Sequence, residues 1–262
     1  CGICGSDIPR IYGDIAYYYP SIPGHEFAGD VEDVADLNQN GNWIGKRVTV
    51  FPLIPCYHCR LCQIGLYEMC ESYGYIGSRR DGAFAEYVTV PVVNCLELPD
   101  KVSYESGALS EPAAVTLHAL RRSSIPFGKT VAVFGLGPIG VLFGIWARIA
   151  GARRLIGFDI DQQKVDFARE NGFDDAMIPE PEKLEKAVKN YTEAGGFDLT
   201  CEASGSNRAL VHSIKITHKF GEVLLLGNQE RDVTLTPQEM SLILRKQLTL
   251  HGTWNSRFTH IG

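Results

Sequence analysis

The chain has 262 residues, of which 45% are hydrophobic and 21% are charged. That apolar fraction is enough for a packed core, so it excludes a disordered chain and a fibrous repeat. Its 25 basic and 31 acidic residues give a net charge of −6, which argues against a nucleic acid or an anionic membrane surface as the main partner. The length suits one large domain or two ordinary ones, and the unclear ends at Cys1 and Gly262 lead us to expect a fragment of a longer polypeptide.

In the first part of the chain, to about Pro112, the residue pattern predicts short strands joined by loops. Val48–Phe51 and Phe84–Val90 have the β-branched and aromatic residues typical of strands, and turns such as Pro23-Gly24 surround them. A helical stretch over Glu111–Arg122 predicts the boundary with the second part.

After that boundary, strand-like and helical segments alternate. Such alternation predicts a parallel sheet whose strands are joined by crossover helices. The predicted strands are Thr130–Phe134, Leu155–Phe158, Ala176–Ile178, Leu199–Ala203, Glu222–Leu226 and Leu248–His251. The predicted helices are Ile139–Ile149, Gln162–Asn171, Glu182–Tyr191 and Asn207–His218.

A glycine-rich turn, Gly135-Leu-Gly137-Pro138-Ile139-Gly140, follows the first of these strands. The first glycine permits the tight turn, the second lets the backbone approach a pyrophosphate, and the third allows the helix to pack closely on the strand. The free N–H groups at the start of the helix favour phosphate binding. The pattern predicts a dinucleotide site, and its alternative is a glycine-rich turn in a non-binding domain.

The choice of dinucleotide depends on an acid at the end of the second strand. Asp159 lies 19 residues after Gly140. A carboxylate there accepts hydrogen bonds from the ribose 2′-hydroxyl and repels a 2′-phosphate, so the sequence predicts NAD rather than NADP.

Four of the eight cysteines fall on one short loop, Cys56-x2-Cys59-x2-Cys62-x7-Cys70. Four thiolates at this spacing can complete a tetrahedral zinc shell, and such a closed shell predicts a structural zinc. An iron–sulfur cluster is one alternative, but the spacing before Cys70 departs from the ferredoxin pattern. Disulfides are another, but such near neighbours would form strained bonds.

Further residues of the metal-ligating types are scattered through the chain. Cys4, in Cys-Gly-Ser6-Asp, offers a thiolate, and His25 and Glu26 offer an imidazole and a carboxylate. Glu111, before a proline, is a further carboxylate. Spacing alone does not join these segments.

Six motifs resemble those of the medium-chain, zinc-dependent alcohol and polyol dehydrogenases. They occur in the family's order, cover nearly the whole chain, and are Gly2-Ile-Cys-Gly-Ser-Asp7, Gly24-His-Glu-Phe-Ala-Gly29, the four-cysteine loop, Asp81-Gly-Ala-Phe-Ala-Glu-Tyr87, Glu111-Pro and Gly135-x-Gly-x-x-Gly140.

The resemblance implies an α/β plus β architecture with two domains. We expect a GroES-like β-barrel catalytic domain, incomplete at its N-terminus, over residues 1–115 and a doubly wound, NAD-binding Rossmann domain over residues 116–252. Residues 253–262 would begin a return to the catalytic domain.

The resemblance also implies a catalytic zinc. Its ligands would be Cys4, His25 and a carboxylate, for which both Glu26 and Glu111 match acidic family positions. The zinc would act as a Lewis acid on the substrate oxygen, and hydride would pass to the nicotinamide. Ser6 matches the family residue that shuttles the proton, and its alternative is a turn residue that caps a backbone group.

The substrate on this interpretation is a polyol or a sugar-alcohol phosphate. Arg79 and Arg80 are adjacent, and arginine forms bidentate, charge-assisted bonds to phosphate. The alternative is a solvated basic turn paired with Asp81. Tyr19 would contribute to a hydroxyl-bearing wall of the site, with core packing as the equal alternative.

Two other functions stay open at this point. One is a dehydrogenase of a secondary alcohol, diol or unphosphorylated, sorbitol-like polyol. The other is a non-catalytic protein that senses NAD, although the presence of Cys4, Ser6, His25 and Glu111 favours an enzyme. We further expect a small-molecule partner, no nucleic acid, no membrane, a cytoplasmic location and, from the resemblance, a homodimer or homotetramer.

Overall fold

A computed structural model of the chain describes residues 1–13, 15–36, 40–124, 127–229 and 231–257. They belong to two units: Cys1–Ala114, which resumes at Arg257, and Val115–Ser256. The division into a catalytic domain and a cofactor domain, with the boundaries given above, stays a prediction. Residues 258–262 of the predicted returning segment lie outside the described residues.

Unit 1 contains short antiparallel strands around a small apolar core. Its strands are Ala28–Asp30 (β1), Arg47–Val50 (β2), Leu53–Ile54 (β3), Gly74–Tyr75 (β4) and Cys95–Glu97 (β5). Strand β2 lies between β1 and β5 in one sheet, and β3 pairs with β4. Val48 and Val50 of β2 pack with Phe27 and Ile76 in the core. The described α-helices that begin in this unit are Ile8–Tyr12 (α1), Arg60–Gln63 (α2), Tyr104–Ala108 (α3) and Ser110–Arg122 (α4).

The predicted strand over Phe84–Val90 is wrong. Instead of joining a ladder, this region packs on a turn: the N–H groups of Ala83 and Phe84 donate to the carbonyls of Gly24 and Pro23, each at 3.0 Å. Val88 and Val90, later in the segment, still pack against the core of unit 1. The apolar pattern therefore indicated burial, which a loop can also provide.

Unit 2 is a six-stranded parallel sheet with connecting helices. Its strands are Thr130–Phe134 (β6), Arg154–Phe158 (β7), Asp175–Met177 (β8), Phe197–Glu202 (β9), Thr217–Leu225 (β10) and Thr249–Gly252 (β11). They lie in the order β11-β10-β9-β6-β7-β8, and every neighbouring pair is parallel. The helices are Pro138–Ile149 (α5), Gln162–Glu170 (α6), Pro181–Tyr191 (α7), Asn207–Ile216 (α8) and Pro237–Lys246 (α9). The predicted alternation of strands and helices is confirmed.

The central strand β6 explains why the sheet is covered on both faces. All of its residues are buried, with Val131 and Val133 in one apolar cluster and Ala132 and Phe134 in another. Successive side chains of a strand point to opposite faces, so this strand requires an apolar layer on each side. The chain leaves β6 toward β7 and β8 and returns to β9 on its other side. Doubly wound sheets bind ligands at the carboxyl ends of strands at such a reversal.

Two details of unit 2 differ from the sequence prediction. Helix α8 ends at Ile216 and β10 begins at the next residue, so His218 lies in a strand rather than in the helix. Helix α9 was not predicted; it begins with a capping box formed by Thr236 and Glu239. Within the described ranges, no helix combines the length and the apolar character that a membrane crossing requires.

We predict that Gly140→Ala destabilises the protein much more than Gly137→Ala. A Cβ at position 140 would lie 1.8 Å from the carbonyl oxygen of Gly135, whereas a Cβ at position 137 would meet no heavy atom within 4 Å. Backbone must move to relieve the first clash, and overpacking of this kind costs about 1–3 kcal/mol or more. Urea unfolding of the two variants measures the free energies, and equal losses would contradict the prediction.

Candidate metal centres and dinucleotide site

The four-cysteine loop of unit 1 brings its sulfur atoms together. The ligand atoms of Cys56, Cys59, Cys62 and Cys70 all lie within 4.8 Å of one another, and all four residues are free thiols. The Sγ atoms of Cys56 and Cys62 are 3.9 Å apart. A tetrahedron with zinc–sulfur bonds of about 2.3 Å has edges of about 3.8 Å. The group fits a zinc ion whose shell is complete, which suits a structural role.

Backbone N–H groups of the same loop point at these sulfur atoms. The N–H of Cys56 donates to Cys70 at 3.2 Å, that of Cys59 to Cys56 at 3.3 Å, and that of Cys62 to Cys59 at 3.5 Å. The N–H groups of Glu71 and Cys62 lower the pKa of Cys59 to about 6, whereas burial raises the pKa of Cys62 to about 12. The N–H groups therefore stabilise the thiolate of Cys59, whereas burial disfavours that of Cys62, and a bound cation would offset this cost.

A second group joins two segments that are distant in sequence. One ligand atom from each of Cys4, His25 and Glu26 lies within 4.8 Å of the others. A backbone bridge aligns the segments, in which the N–H of Gly2 donates to the carbonyl of Glu26 at 2.7 Å. A Cβ at Gly2 would lie 2.4 Å from Glu26 Oε2, so a glycine there permits the close approach.

Asp7 contacts this group, although the sequence reasoning did not include it among the site residues. Its side chain is fully buried, and Oδ2 accepts the N–H of Cys4 at 3.0 Å. Oδ1 lies 3.4 Å from Nδ1 of His25, which is ion-pair range rather than hydrogen-bond geometry. This contact leaves Nε2 of His25 available as a ligand atom, as in metal sites where a carboxylate orients the histidine. The only sequence signal for Asp7 was its position in the Gly2–Asp7 motif.

Anionic groups outnumber cationic ones in this part of unit 1. Burial is the main cause that raises the pKa of Glu26, and it raises that of Glu111 to about 7. Burial alone would lower the pKa of His25, but the carboxylate of Asp7 and the sulfur of Cys4 outweigh it and raise that pKa to about 10. A divalent cation would offset this excess of negative charge, so the donor set fits a metal.

The two candidate carboxylates lie in different surroundings. Glu26 belongs to the group within 4.8 Å, and Glu111 does not. Glu111 is buried in the first turn of α4, where its Oε1 accepts the hydroxyl of Tyr75 at 3.0 Å. The ring of Tyr75 meets the imidazole of His25 edge-on, with centroids 5.7 Å apart. The geometry favours Glu26 as a direct ligand and Glu111 as a neighbouring carboxylate held by Tyr75.

Ser6 lies beside the same group and is exposed. Its Oγ donates to the Sγ of Cys4 at 3.3 Å. The same Oγ accepts from Nη1 of Arg10 at 2.7 Å. The Ser6 hydroxyl therefore connects the candidate ligand Cys4 to Arg10, which was not among the predicted site residues.

The glycine turn of unit 2 has the geometry that its sequence predicts. Gly135 has φ +89°, and a Cβ there would lie 2.8 Å from the backbone nitrogen of Ser204. Gly137 is the N-cap of α5, and Pro138 and Ile139 are the first residues of that helix. The backbone at Gly137 is open, so an approaching ligand would meet N–H groups rather than a side chain.

Asp159 is tied to this turn. Its Oδ2 accepts the N–H of Leu136 at 2.7 Å, and its Oδ1 accepts the N–H of Asp161 at 2.9 Å. The residue is largely buried. Since a carboxylate has about four lone-pair directions, acceptor capacity remains for a hydroxyl group.

The predicted substrate residues of unit 1 differ in how firmly they are held. The guanidinium of Arg79 lies 4.3 Å from the ring centroids of both Tyr17 and Tyr73 and donates to the Tyr17 hydroxyl at 3.2 Å. Arg80 is exposed, and its carbonyl closes the turn by accepting the N–H of Gly77 at 2.9 Å.

Asp81 and Tyr19 have other partners. Asp81 accepts from the hydroxyl of Tyr18 at 2.7 Å and from the N–H of Ile22 at 3.0 Å, and in the described part of the chain it forms no ion pair with either arginine. Tyr19 is exposed, and its hydroxyl donates to the carbonyl of Gly13 at 2.9 Å. Tyr19 is therefore not a core residue.

The sequence matches two protein-family profiles. Residues 1–100 match the family described as alcohol dehydrogenase GroES-like domain, and residues 138–260 match the family described as zinc-binding dehydrogenase.

Individual proteins are similar over most of the chain. Galactitol 1-phosphate 5-dehydrogenase of Escherichia coli is 35% identical over 97% of this chain and 73% of its own length. The crystal structure of that enzyme has a TM-score of 0.88, at 34% identity, over the same shares of the two chains. L-idonate 5-dehydrogenase of Vitis vinifera is 34% identical over 90% of this chain and 67% of its own. A zinc-binding dehydrogenase from Sinorhizobium meliloti bound to NADP has a TM-score of 0.88 and 34% identity, over 99% of this chain and 76% of its own.

We predict that Cys59→Ser removes one equivalent of zinc and lowers stability. The variant loses one of four sulfur ligands and leaves three thiols that repel one another when ionised. Cys95→Ser, whose sulfur lies outside the group, is the matched control and should retain the wild-type zinc content. Elemental analysis and thermal unfolding measure both effects. Equal zinc content in the Cys59 variant and the control would exclude the loop as a zinc site.

Proposed function

The chain belongs to the family of zinc-dependent medium-chain alcohol and polyol dehydrogenases, and from this membership we propose that it oxidises a polyol or a sugar-alcohol phosphate with NAD⁺. The observation that carries the proposal is the group formed by Cys4, His25 and Glu26. Three protein ligands leave a position open, as catalytic zinc sites require, whereas the four-cysteine loop leaves none.

In this proposal Cys4, His25 and Glu26 hold the catalytic zinc. When bound there, zinc supplies a Lewis acid that favours ionisation of the substrate hydroxyl. Asp7 keeps the imidazole oriented, and Glu111 is held by Tyr75 as a second carboxylate next to the ligands.

Proton transfer is assigned to Ser6. Its exposed hydroxyl lies beside Cys4, so it can hydrogen-bond to a substrate oxygen on one side and to water on the other. In this structure the hydroxyl contacts Cys4 and Arg10, and its exposure leaves it accessible to a substrate and to water.

The glycine turn and Asp159 are assigned to the cofactor. The open backbone at Gly137 and the N-terminus of α5 would receive the pyrophosphate, with Gly135, Pro138, Ile139 and Gly140 shaping the turn. Asp159 would accept the ribose 2′-hydroxyl and repel a 2′-phosphate, which supports NAD over the NADP bound by the Sinorhizobium relative. When bound, the nicotinamide accepts the hydride.

Phosphate recognition is assigned to Arg79. The two flanking tyrosine rings hold the guanidinium through cation–π contacts, so less entropy is lost when it binds an anion. One N–H group of the fork donates to Tyr17, and within the described residues its other N–H donors remain available for a phosphate. The phosphorylated substrate in the name of the E. coli relative supports this assignment. Arg80 and Tyr19 are secondary candidates on the same surface loops.

A second candidate substrate class is an unphosphorylated polyol or sugar acid. It is favoured by the Vitis relative, whose name gives idonate as its substrate. Assembly as a homodimer or homotetramer and a cytoplasmic location stay predictions.

We predict that Asp159→Asn reduces the preference for NAD⁺ over NADP⁺ by about tenfold or more. The change removes the charge that repels a 2′-phosphate and weakens a charge-assisted hydrogen bond, which contributes about 1.5–3 kcal/mol. The Asp161→Asn variant is the control, because that carboxylate caps α6 by accepting the N–H of Gln163. The ratio of kcat/KM values for the two cofactors is the measurement. An unchanged ratio in the Asp159 variant would reject this residue as the ribose contact.

We predict that Arg79→Met lowers kcat/KM for galactitol 1-phosphate by about tenfold to a hundredfold, the loss expected for one charge-assisted contact of about 1.5–3 kcal/mol. Activity on free galactitol should change by less than about threefold, because that substrate has no anion to pair. NADH formation with phosphorylated and free hexitols and pentitols tests both this variant and the proposed function. Arg80→Met is the matched control. Equal losses on both substrate classes would defeat phosphate recognition by Arg79.

A further inference from the structure

Arg10 lies one helical turn after Ser6 and contacts it twice. Its Nη1 donates to the Oγ of Ser6 at 2.7 Å and to the carbonyl oxygen of Ser6 at 2.9 Å. Nη1 carries two hydrogens, which is enough for both contacts with Ser6. The backbone and the side chain of Ser6 are therefore held by a single nitrogen atom.

Asp7 holds the guanidinium in this position. Its Oδ1 lies 3.7 Å from the same Nη1, and its carboxylate is fully buried. The side chain of Arg10 is only 19% exposed. An ion pair that is shielded from water in this way restricts where the guanidinium can lie.

The direction of the hydrogen bond follows from the chemistry of arginine. A guanidinium only donates, so Ser6 Oγ must accept from Arg10. Serine has two acceptor positions and one hydrogen. The bond from Arg10 fills one acceptor position of Ser6 Oγ. The second acceptor position and the hydroxyl hydrogen remain, and in this structure the hydrogen is directed at Cys4. A proton relay needs one of each: it accepts a proton on one side and releases its own on the other.

We infer that Arg10 is a positioning residue for proton transfer, which acts by fixing the hydrogen-bond polarity of Ser6. The inference rests on the proposed function of the Cys4–His25–Glu26 group. When a secondary alcohol is oxidised, the carbon gives a hydride with two electrons to NAD⁺, and the hydroxyl proton passes to Ser6 Oγ. Ser6 releases its own proton to water at the same time, so its covalent state does not change. The positive charge of Arg10 beside Oγ stabilises negative charge that develops there during the transfer.

The kinetic test compares Arg10→Met, Arg10→Lys, Ser6→Ala and the Ser6→Ala/Arg10→Met double variant in the zinc-loaded protein. Methionine keeps much of the side-chain volume and removes every donor, so kcat for the polyol should fall by about tenfold to a hundredfold, within the range of positioned proton transfer. KM should change by less than about threefold. Lysine supplies a cationic donor and should recover most of the loss.

The double variant separates action through Ser6 from a general structural effect. If Arg10 acts through Ser6, adding Arg10→Met to Ser6→Ala should lower kcat by less than about twofold further. A full additional loss in the double variant would overturn the inference. Arg153→Met, which removes a surface guanidinium paired with Glu193 in unit 2, is the matched control and should leave kcat unchanged.

Two readouts do not depend on activity. Zinc content should be the same in wild type, Arg10→Met and Arg10→Lys, and loss of zinc would show that Arg10 instead supports the metal ligands. A crystal structure of zinc-loaded Arg10→Met should show Ser6 Oγ in more than one rotamer, whereas a single unchanged rotamer would overturn the inference. Because this structural readout needs no substrate, it decides the role of Arg10 even if no polyol is oxidised and the proposed function fails.

Discussion

The buried carboxylate of Asp7 is the constraint on which the arrangement around Cys4 depends. A buried charge is strongly destabilising unless partners compensate it. Asp7 is 0% exposed and has three such partners: the N–H of Cys4, the imidazole of His25 and the guanidinium of Arg10. Apolar packing contributes little here, since Ile3 next to Cys4 is 74% exposed. The position of the chain around Cys4 is therefore set by this charge compensation together with the backbone bridge between Gly2 and Glu26.

The distance in sequence between the residues of each site explains which parts of the sites could be predicted. The four-cysteine loop and the turn from Gly135 to Gly140 are local, because a few consecutive residues determine their geometry. The pairing of Cys4 with His25 is not local and could be expected only from the family resemblance. The contact of Asp7 with His25 exists only after folding, so the spacing did not indicate it. Arg10 lies three residues after Asp7 and four after Ser6, a spacing that brings side chains together on a helical turn, but no helix was predicted there.

Apolar runs in the sequence predicted the strands of unit 2 correctly but gave a wrong strand at Phe84–Val90. The strands of unit 2 could be predicted because each is a short apolar run that alternates with an amphipathic helix, and burial on both faces of β6 requires that pattern. The segment Phe84–Val90 has a similar apolar content, but it lies against the turn at Pro23 and Gly24 instead of beside a strand. The hydrophobic pattern indicates which side chains are buried, but it does not indicate which groups accept the backbone hydrogen bonds of the segment.

The two contacts of Asp159 couple cofactor choice to the shape of the glycine turn. The carboxylate accepts the N–H of Leu136, which is inside the turn, so the residue proposed to read the ribose also fixes the backbone that would receive the pyrophosphate. A basic residue at this position would remove the repulsion of a 2′-phosphate and also remove the acceptor for Leu136. The turn would then hold a buried N–H without its partner, which costs about 1–3 kcal/mol. Asparagine keeps an acceptor oxygen while it removes the charge. For this reason asparagine at position 159 should change the cofactor preference without damaging the turn. An arginine there would weaken the binding of both dinucleotides.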